Sequence, residues 1–332
     1  MTRAAEPLSV LDLGTAYVKA LVVAPDGEVL GWGSAERLEG GSDDVPLAAV
    51  ERALVEAEND AAQVPRRVAL GVAGSECVVA ATARAARHAY AAERGASLDA
   101  LAVSDGIFAP AALVGRLRQL AETLDLDLVG LVPEAEALGA LAATGGVVVV
   151  DVGGSVTTVV VFDAARGEGT GGGPRGCLSA PIGAAALEAR IVERLGVTRE
   201  QARDAVRAHA AGAGSRSSAG PGTGRVVAEL AAHHADVWRD ALETVLAEIA
   251  KGEALPPRVI LCGGGAALAD LARVLEGGSW HAALPFDASP LVERALPADV
   301  QGVRVRRGRQ LGGEAVAPLC LAAAAVHAGA AN

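Results

Sequence analysis

An α/β fold of two lobes related by duplication is predicted by three features of the sequence. The apolar run Leu8 to Leu13 carries Asp12 at its end, turns at Gly14-Thr15 and continues as a second run, Val18 to Val23. The same order of apolar strand, Asp, glycines and strand recurs at Val147 to Val152, Gly153-Gly154-Ser155 and Val159 to Phe162, as a duplicated fold requires. Finally, 332 residues, 51% of them apolar, exceed the roughly 250–300 at which a single core stops growing.

The elements follow in order. Pro25-Asp26-Gly27 punctuates alternating runs, so residues 8–33 predict a three-stranded antiparallel meander. Apolar positions Leu47, Val50, Leu54, Val55 and Ala62 separated by acids predict an amphipathic helix over 47–62. Strands are expected at 68–72 and over Cys77 to Thr82, while Ala83 to Glu93 has no clean period. A helix over 111–124 and a strand over 126–132 precede a helix opening at Pro133 and ending before Thr144-Gly145-Gly146. Beyond the second turn come a Gly-rich loop at 167–176, helices at 184–195 and 198–210, and a long helix at 225–250. A Ser/Gly-rich stretch at 212–224 has the composition of a flexible linker. The buried strand 258–262 ends in Gly263-Gly264-Gly265 and leads into a helix over 267–275. Arg304 to Arg309 is expected to be a solvated loop and 315–330 a buried helix. These elements divide into a first lobe at 1–145 and a second at 146–332, with a C-terminal helix at 318–328 packing back.

Composition narrows the function. A formal net charge of −11 argues against a nucleic-acid partner, which demands clustered basic residues. Cys77, Cys177, Cys262 and Cys320 form no C-x-x-C pair, and the six histidines are scattered, so no structural metal site is signalled. The first residues lack a signal-peptide pattern and no apolar stretch is long enough to span a bilayer, so a cytoplasmic location is expected. Of 29 basic side chains only Lys19 and Lys251 are lysines. A compact ammonium suits end-on approach to phosphate better than a planar guanidinium, which singles out Lys19 beside the first turn.

Three strands end in glycine turns: Asp12-Leu13-Gly14-Thr15, Asp151-Val152-Gly153-Gly154 and Cys262-Gly263-Gly264-Gly265. Such turns free backbone N–H groups, and the missing Cβ lets phosphate oxygens approach them. A carboxylate at the strand end repels phosphate but can hold a divalent cation between the two. The turns therefore point to a metal–nucleotide, and there is neither a G-x-x-x-x-G-K-[ST] P-loop nor a G-x-G-x-x-G opening a helix after the first strand.

The order of these turns resembles the actin, heat-shock chaperone and sugar kinase superfamily, and within it the bacterial cell-division protein FtsA and its relatives. Val10-Leu11-Asp12-Leu13-Gly14-Thr15 with Val18-Lys19-Ala20-Leu21-Val22 is similar to that family's opening. Ala180-Pro181-Ile182-Gly183 with Val197-Thr198-Arg199-Glu200-Gln201-Ala202 is similar to its segment after the second turn. Ile260-Leu261-Cys262-Gly263-Gly264-Gly265-Ala266 resembles its adenosine motif. The resemblance implies an actin-like (ribonuclease H-like) duplicated α/β fold with ATP or ADP and Mg²⁺ bound between two lobes. It assigns Gly14, Thr15, Lys19, Gly153, Gly154 and Ser155 to the phosphates, and Asp12 and Asp151 to the metal, Asp151 also to catalysis. Glu134 would position the attacking water, with Glu136 as its alternate; Gly263, Gly264, Gly265 and Arg203 would lie on the adenosine side. An inserted subdomain, here reduced, is implied at about 75–126.

Two departures stand out. The helix that lines the adenosine pocket in FtsA relatives carries an acid and a lysine, where this chain offers Arg203 and Arg207. The C-terminus is Ala-rich and lacks the cationic face of a membrane-binding helix. The function expected is a slow ATPase with cytoskeletal self-assembly or a cell-division protein partner as output. The alternatives are a nucleotide-sensing scaffold and a small-metabolite or sugar kinase with Asp105 as its base.

Overall fold

The computed structural model describes residues 6–37, 47–94, 100–142, 145–164, 173–212, 222–277, 279–306 and 308–330. Most of the Gly-rich loop at 167–176 and of the linker at 212–224 lies outside them.

The chain begins with the meander β1 (Leu8–Leu13), β2 (Tyr17–Val23) and β3 (Glu28–Glu36). Helix α1 (Leu47–Ala61) runs along β3 and buries Val50, Ala53, Leu54 and Ala57. It sits so close that a Cβ at Gly31 or Gly33 would strike the carbonyl oxygens of Ala57 or Ala53. Strand β4 (Arg67–Val72) pairs parallel to β1. The chain then leaves for a small unit of β5 (Val78–Val79), α2 (Ala83–Arg94), β6 (Ala100–Ser104), β7 (Ile107–Pro110) and α3 (Ala111–Thr123). Its sheet has the order β5-β7-β6. Strand β8 (Asp127–Pro133) returns beside β4.

The crossing to the second lobe is one α-helical turn, α4 (Glu134–Ala137), followed by a 3-10 turn over Leu138–Leu141. The longer helix predicted from Pro133 is tightened because Ala135, Leu138 and Leu141 are all buried and Gly139 lies against the Phe162 ring. The second sheet is β9 (Val147–Val152), β10 (Thr157–Phe162), β11 (Gly176–Ala180), then, after α5 (Ala184–Leu195), α6 (Arg199–Ala210) and α7 (Thr223–Ala250), β12 (Arg258–Cys262). Helix α8 (Ala269–Glu276) and β13 (Leu291–Arg294) complete the order β11-β10-β9-β12-β13. Val148 and Val150 face the helical core of α5 to α8, whereas Val147 and Val149 face the core between the sheets. This burial on both faces explains the unbroken valine run.

The end of the chain goes back to the first sheet. β14 (Arg304–Val305) pairs with β3 at Glu28 and Val29, and α9 (Val316–Ala330) packs on β1, β2, β8 and α4. The first sheet thus has the order β14-β3-β2-β1-β4-β8. The arginine-rich stretch expected as a solvated loop contributes β14, fixed by Arg304 on Asp26 at 2.6 Å. Past β14 the outer edge of β3 is met by side chains. The N–H groups of Trp32 and Ser34 donate to Asp60 and Glu56, each at 2.9 Å. Arg309 and Arg52 donate to the carbonyls of Leu30 and Glu36 at 2.8 and 2.9 Å. Among the described residues no helix is long and apolar enough to cross a membrane.

Candidate functional site

The two Asp–Gly turns are geometric copies. In the first, Asp12 stands opposite Lys19 across the β1–β2 hairpin, and a Cβ on Gly14 would lie 2.7 Å from the Tyr17 carbonyl oxygen. In the second, Asp151 stands opposite Thr158 across β9–β10, and a Cβ on Gly153 would lie 2.8 Å from the Val156 carbonyl oxygen. Glycine is needed at both because the chain folds back on itself within three residues. The turns meet across the cleft: the Ser155 N–H donates to Thr15 Oγ1 at 3.0 Å, and both residues are exposed. Gly154 lies against Thr15 and Ala16.

Behind the turns, Lys19 Nζ donates to Asp12 Oδ2 at 3.0 Å. Burial alone would lower the Lys19 pKa, but the charges of Asp12, Asp151 and Glu134 outweigh it and hold the ammonium above its usual value. Glu134 begins α4, and its Oε2 accepts the Gly74 N–H at 2.5 Å. Its Oε1 is buried with no donor among the described residues. Burial, then the Asp151 charge, push Glu134 well above the ordinary carboxylate range; Asp151 is raised too, first by its own burial. Two buried carboxylates facing each other retain a proton or take a cation. Glu136 is exposed.

The third glycine cluster divides in two. Gly263 has φ +84°, and a Cβ there would collide with the Asp151 carboxylate and lie 2.6 Å from the Val152 carbonyl oxygen. Gly265 packs on Val152. These two seat β12 against the second turn, where Cys262 Sγ also lies 3.7 Å from Asp151 Oδ1. Only Gly264 of the three has open space, its nearest atom being Glu314 Cβ at 3.9 Å. Arg203, expected on the adenosine side, is engaged in ion pairs. Its guanidinium is held by Glu188 of α5 at 3.4 Å and by Glu36 of β3, and it lies 5.8 Å from the centre of the Tyr17 ring.

Asp12, Lys19, Glu134 and Asp151 are thus brought together beneath Gly14, Thr15, Gly153, Gly154 and Ser155. Sequence reasoning missed Gly74, Glu36, Tyr17 and Glu188, and named Cys262 without its contact to Asp151. Only Cys262 and Tyr17 carried a usable signal, by adjacency to the glycine turns. The one buried oxygen of the acid cluster left without a donor among the described residues is Glu134 Oε1, and Asp151 beside it accepts from Cys262 Sγ, so a divalent cation is compatible with the cluster's carboxylates. Among the described residues no group of three or more His, Cys, Asp or Glu could cage a metal by itself. Any such ion would be shared with a ligand's oxygens.

No protein-family profile and no curated protein matches the chain. Solved structures do. The structure titled PilM-PilN type IV pilus biogenesis complex superposes with a TM-score of 0.69 at 17% identity, covering 98% of this chain and 99% of that one. Ethanolamine utilization protein EutJ from Carboxydothermus hydrogenoformans gives 0.59 at 15% identity over 97% and 91%. A ROK family glucokinase from Streptomyces griseus, in complex with glucose and AMPPNP, gives 0.52 at 16% over 97% and 100%. Near-complete coverage of both chains at these scores shows that the chain has the two-lobe, actin-like α/β fold.

Proposed function

We propose that the chain is an actin-fold nucleotide switch in the FtsA-like manner: it binds Mg-ATP or Mg-ADP between its lobes, hydrolyses ATP slowly, and uses the bound state to control self-assembly or a protein partner in the cytoplasm. The observation that carries this reading is the meeting of the two turns, Thr15 against Ser155, directly above the Asp12–Lys19–Asp151–Glu134 cluster.

The roles follow from placement. The N–H groups of Gly14, Gly153, Gly154 and Ser155 and the Thr15 hydroxyl would cradle the phosphates, with Lys19 supplying the point charge. Asp12 and Asp151 would hold Mg²⁺, which when bound neutralises phosphate charge. Glu134, anchored by the Gly74 N–H, would orient a water, and positioning with electrostatic stabilisation is the larger part of phosphoryl transfer. Gly264, whose backbone has open space beside it, would border the adenosine. The solved complex of PilM with PilN supports a protein partner as output, and the glucokinase with AMPPNP supports a nucleotide in the cleft.

The kinase alternative loses ground, because Asp105 is exposed in the turn between β6 and β7. The sensing alternative is favoured by one observation: Glu134 Oε2 is engaged by Gly74, and its Oε1 is buried away from solvent.

Isothermal titration with ATP and ADP, with and without Mg²⁺, tests the reading. Wild type should bind both, and Lys19→Ala and Asp12→Ala should abolish binding; no heat from the wild type would refute it. Phosphate release that disappears in Glu134→Ala while affinity persists assigns hydrolysis to Glu134, and equal release removes it from the mechanism.

A further inference from the structure

A second set of contacts joins the lobes, and none of the roles above uses it. Arg203 and Arg207 lie one turn apart on α6 and both cross to the first sheet. Arg203 Nη1 pairs with Glu36 at the end of β3, and Arg207 Nη2 donates to the Tyr17 hydroxyl at 2.5 Å. Glu188 holds the other side of Arg203 through Nε and Nη2 at 3.4 and 3.5 Å, so the guanidinium is braced by its own lobe and aimed at the other. The Arg203 side chain is only 11% exposed and that of Glu36 35%.

Glu36 is also wired to the first phosphate turn. It stands opposite Tyr17 in the β2–β3 register. The next residue, Arg37, donates its backbone N–H to the Ala16 carbonyl at 3.0 Å and its Nη1 to the Gly14 carbonyl at 3.3 Å. The Glu36–Arg203 contact is therefore one residue removed from the hydrogen bonds on Gly14 and Ala16, in the turn that meets Gly154 and Ser155.

We propose that Glu36, acting through Arg203 with Tyr17 and Arg207 beside it, is a positioning residue that clasps the lobes shut and gates nucleotide exchange. The gating half rests on the nucleotide reading above; the clasp itself does not. A ligand reaches buried phosphate positions only when the lobes part, so the free energy of breaking the clasp enters the barrier to exchange. An ion pair still one-third exposed at Glu36 is weakened by salt, which gives the gate a signature that mere packing lacks.

The test separates the two halves. In the nucleotide-free chain, spin labels at Glu51→Cys on α1 and Glu200→Cys on α6 report lobe separation by double electron–electron resonance. One short distance is expected at low salt, with a longer population appearing at 1 M salt and in Glu36→Gln, and largely reversed in Glu36→Asp. Release of fluorescent mant-ADP should be roughly ten-fold faster in Glu36→Gln, within the range of ordinary coupling energies. Salt should accelerate release from the wild type and leave Glu36→Gln unmoved. Unchanged distances in Glu36→Gln would overturn the clasp. Changed distances with mant-ADP released at the wild-type rate would overturn the gate, and failure of wild type to bind mant-ADP would sink the nucleotide reading while the distances still decide the clasp.

Discussion

Lys19 Nζ reaches Asp12 Oδ2 at 3.0 Å because the two residues are directly opposed in the β1–β2 register. Seven positions apart in sequence, they are cross-strand neighbours in space, so the hairpin itself fixes a cation beside the strand-end acid. The same ammonium faces Asp151 and Glu134. Lys19→Ala should therefore do more than remove a phosphate contact: it leaves three acids uncompensated. We expect urea unfolding to show a loss of about 3–5 kcal/mol, the cost of breaking a buried pair, with part of it restored in Lys19→Ala/Asp12→Asn. A loss no larger than that of Lys251→Ala, whose side chain is 74% exposed, would contradict the cluster.

Glu134 and Asp151 predict an inverse dependence of stability on pH. Both carboxyls are raised, by burial first and by each other's charge for Glu134, so the folded chain keeps a proton that the unfolded chain has released. That stabilisation is full below the ordinary carboxylate range and is lost as pH rises towards the raised values, at up to about 1.4 kcal/mol per pH unit for one proton. Thermal unfolding of the nucleotide-free protein should show Tm falling as pH rises above about 5. Glu134→Gln should flatten the slope and raise Tm at neutral pH while eliminating phosphate release. A Tm that climbs with pH in the wild type would refute the shared proton.

The acids on α1 predict a different failure. Asp60 and Glu56 cap the N–H groups of Trp32 and Ser34 on the outer side of β3, where an uncapped strand would template pairing with another chain. Asp60→Ala/Glu56→Ala should cost about 1–3 kcal/mol for two exposed hydrogen bonds exchanged for water and shift sedimentation towards dimers or aggregates. Arg52→Ala alone, which removes the donor to the Glu36 carbonyl and leaves both β3 N–H groups capped, should remain like the wild type in sedimentation.

How much of this was legible follows from which interactions are local. The turns at Gly14, Gly153 and Gly263 could be found in the sequence because backbone geometry demands glycine there, and Asp12 and Lys19 because a hairpin brings them together. Arg203 and Glu36 are 167 positions apart, and no local pattern links them. Helix α2 lacked a clean period because, among the described residues, the core it packs on is small, Ala86 and Phe108 with Val78, Ala80, Ala83 and Tyr90 against them, which asks for few apolar positions. Strands β13 and β14 span four and two residues, too short for alternation to register. The helix expected from Pro133 became one turn because its route between the sheets was set by packing rather than propensity.

Gly263 and Gly264 offer a paired test of what the third glycine cluster is for. At Gly263 the backbone is left-handed, φ +84°, and a Cβ would press on the Asp151 carboxylate and the Val152 carbonyl. Alanine there meets both a backbone penalty of about 1–2 kcal/mol and a displaced Asp151, so Gly263→Ala should lose about 2–4 kcal/mol of stability and all Mg-dependence of nucleotide binding. At Gly264 the nearest atom is 3.9 Å away and φ is not left-handed, so Gly264→Ala should change stability by less than about 0.5 kcal/mol. If that glycine borders the nucleoside, its alanine variant should weaken ATP and ADP equally, with affinity for inorganic pyrophosphate unchanged. Equal effects of the two substitutions on stability would mean that Gly263 is not holding Asp151 in place; a weakened pyrophosphate affinity in Gly264→Ala would move that residue from the nucleoside end of the cleft to the phosphate end.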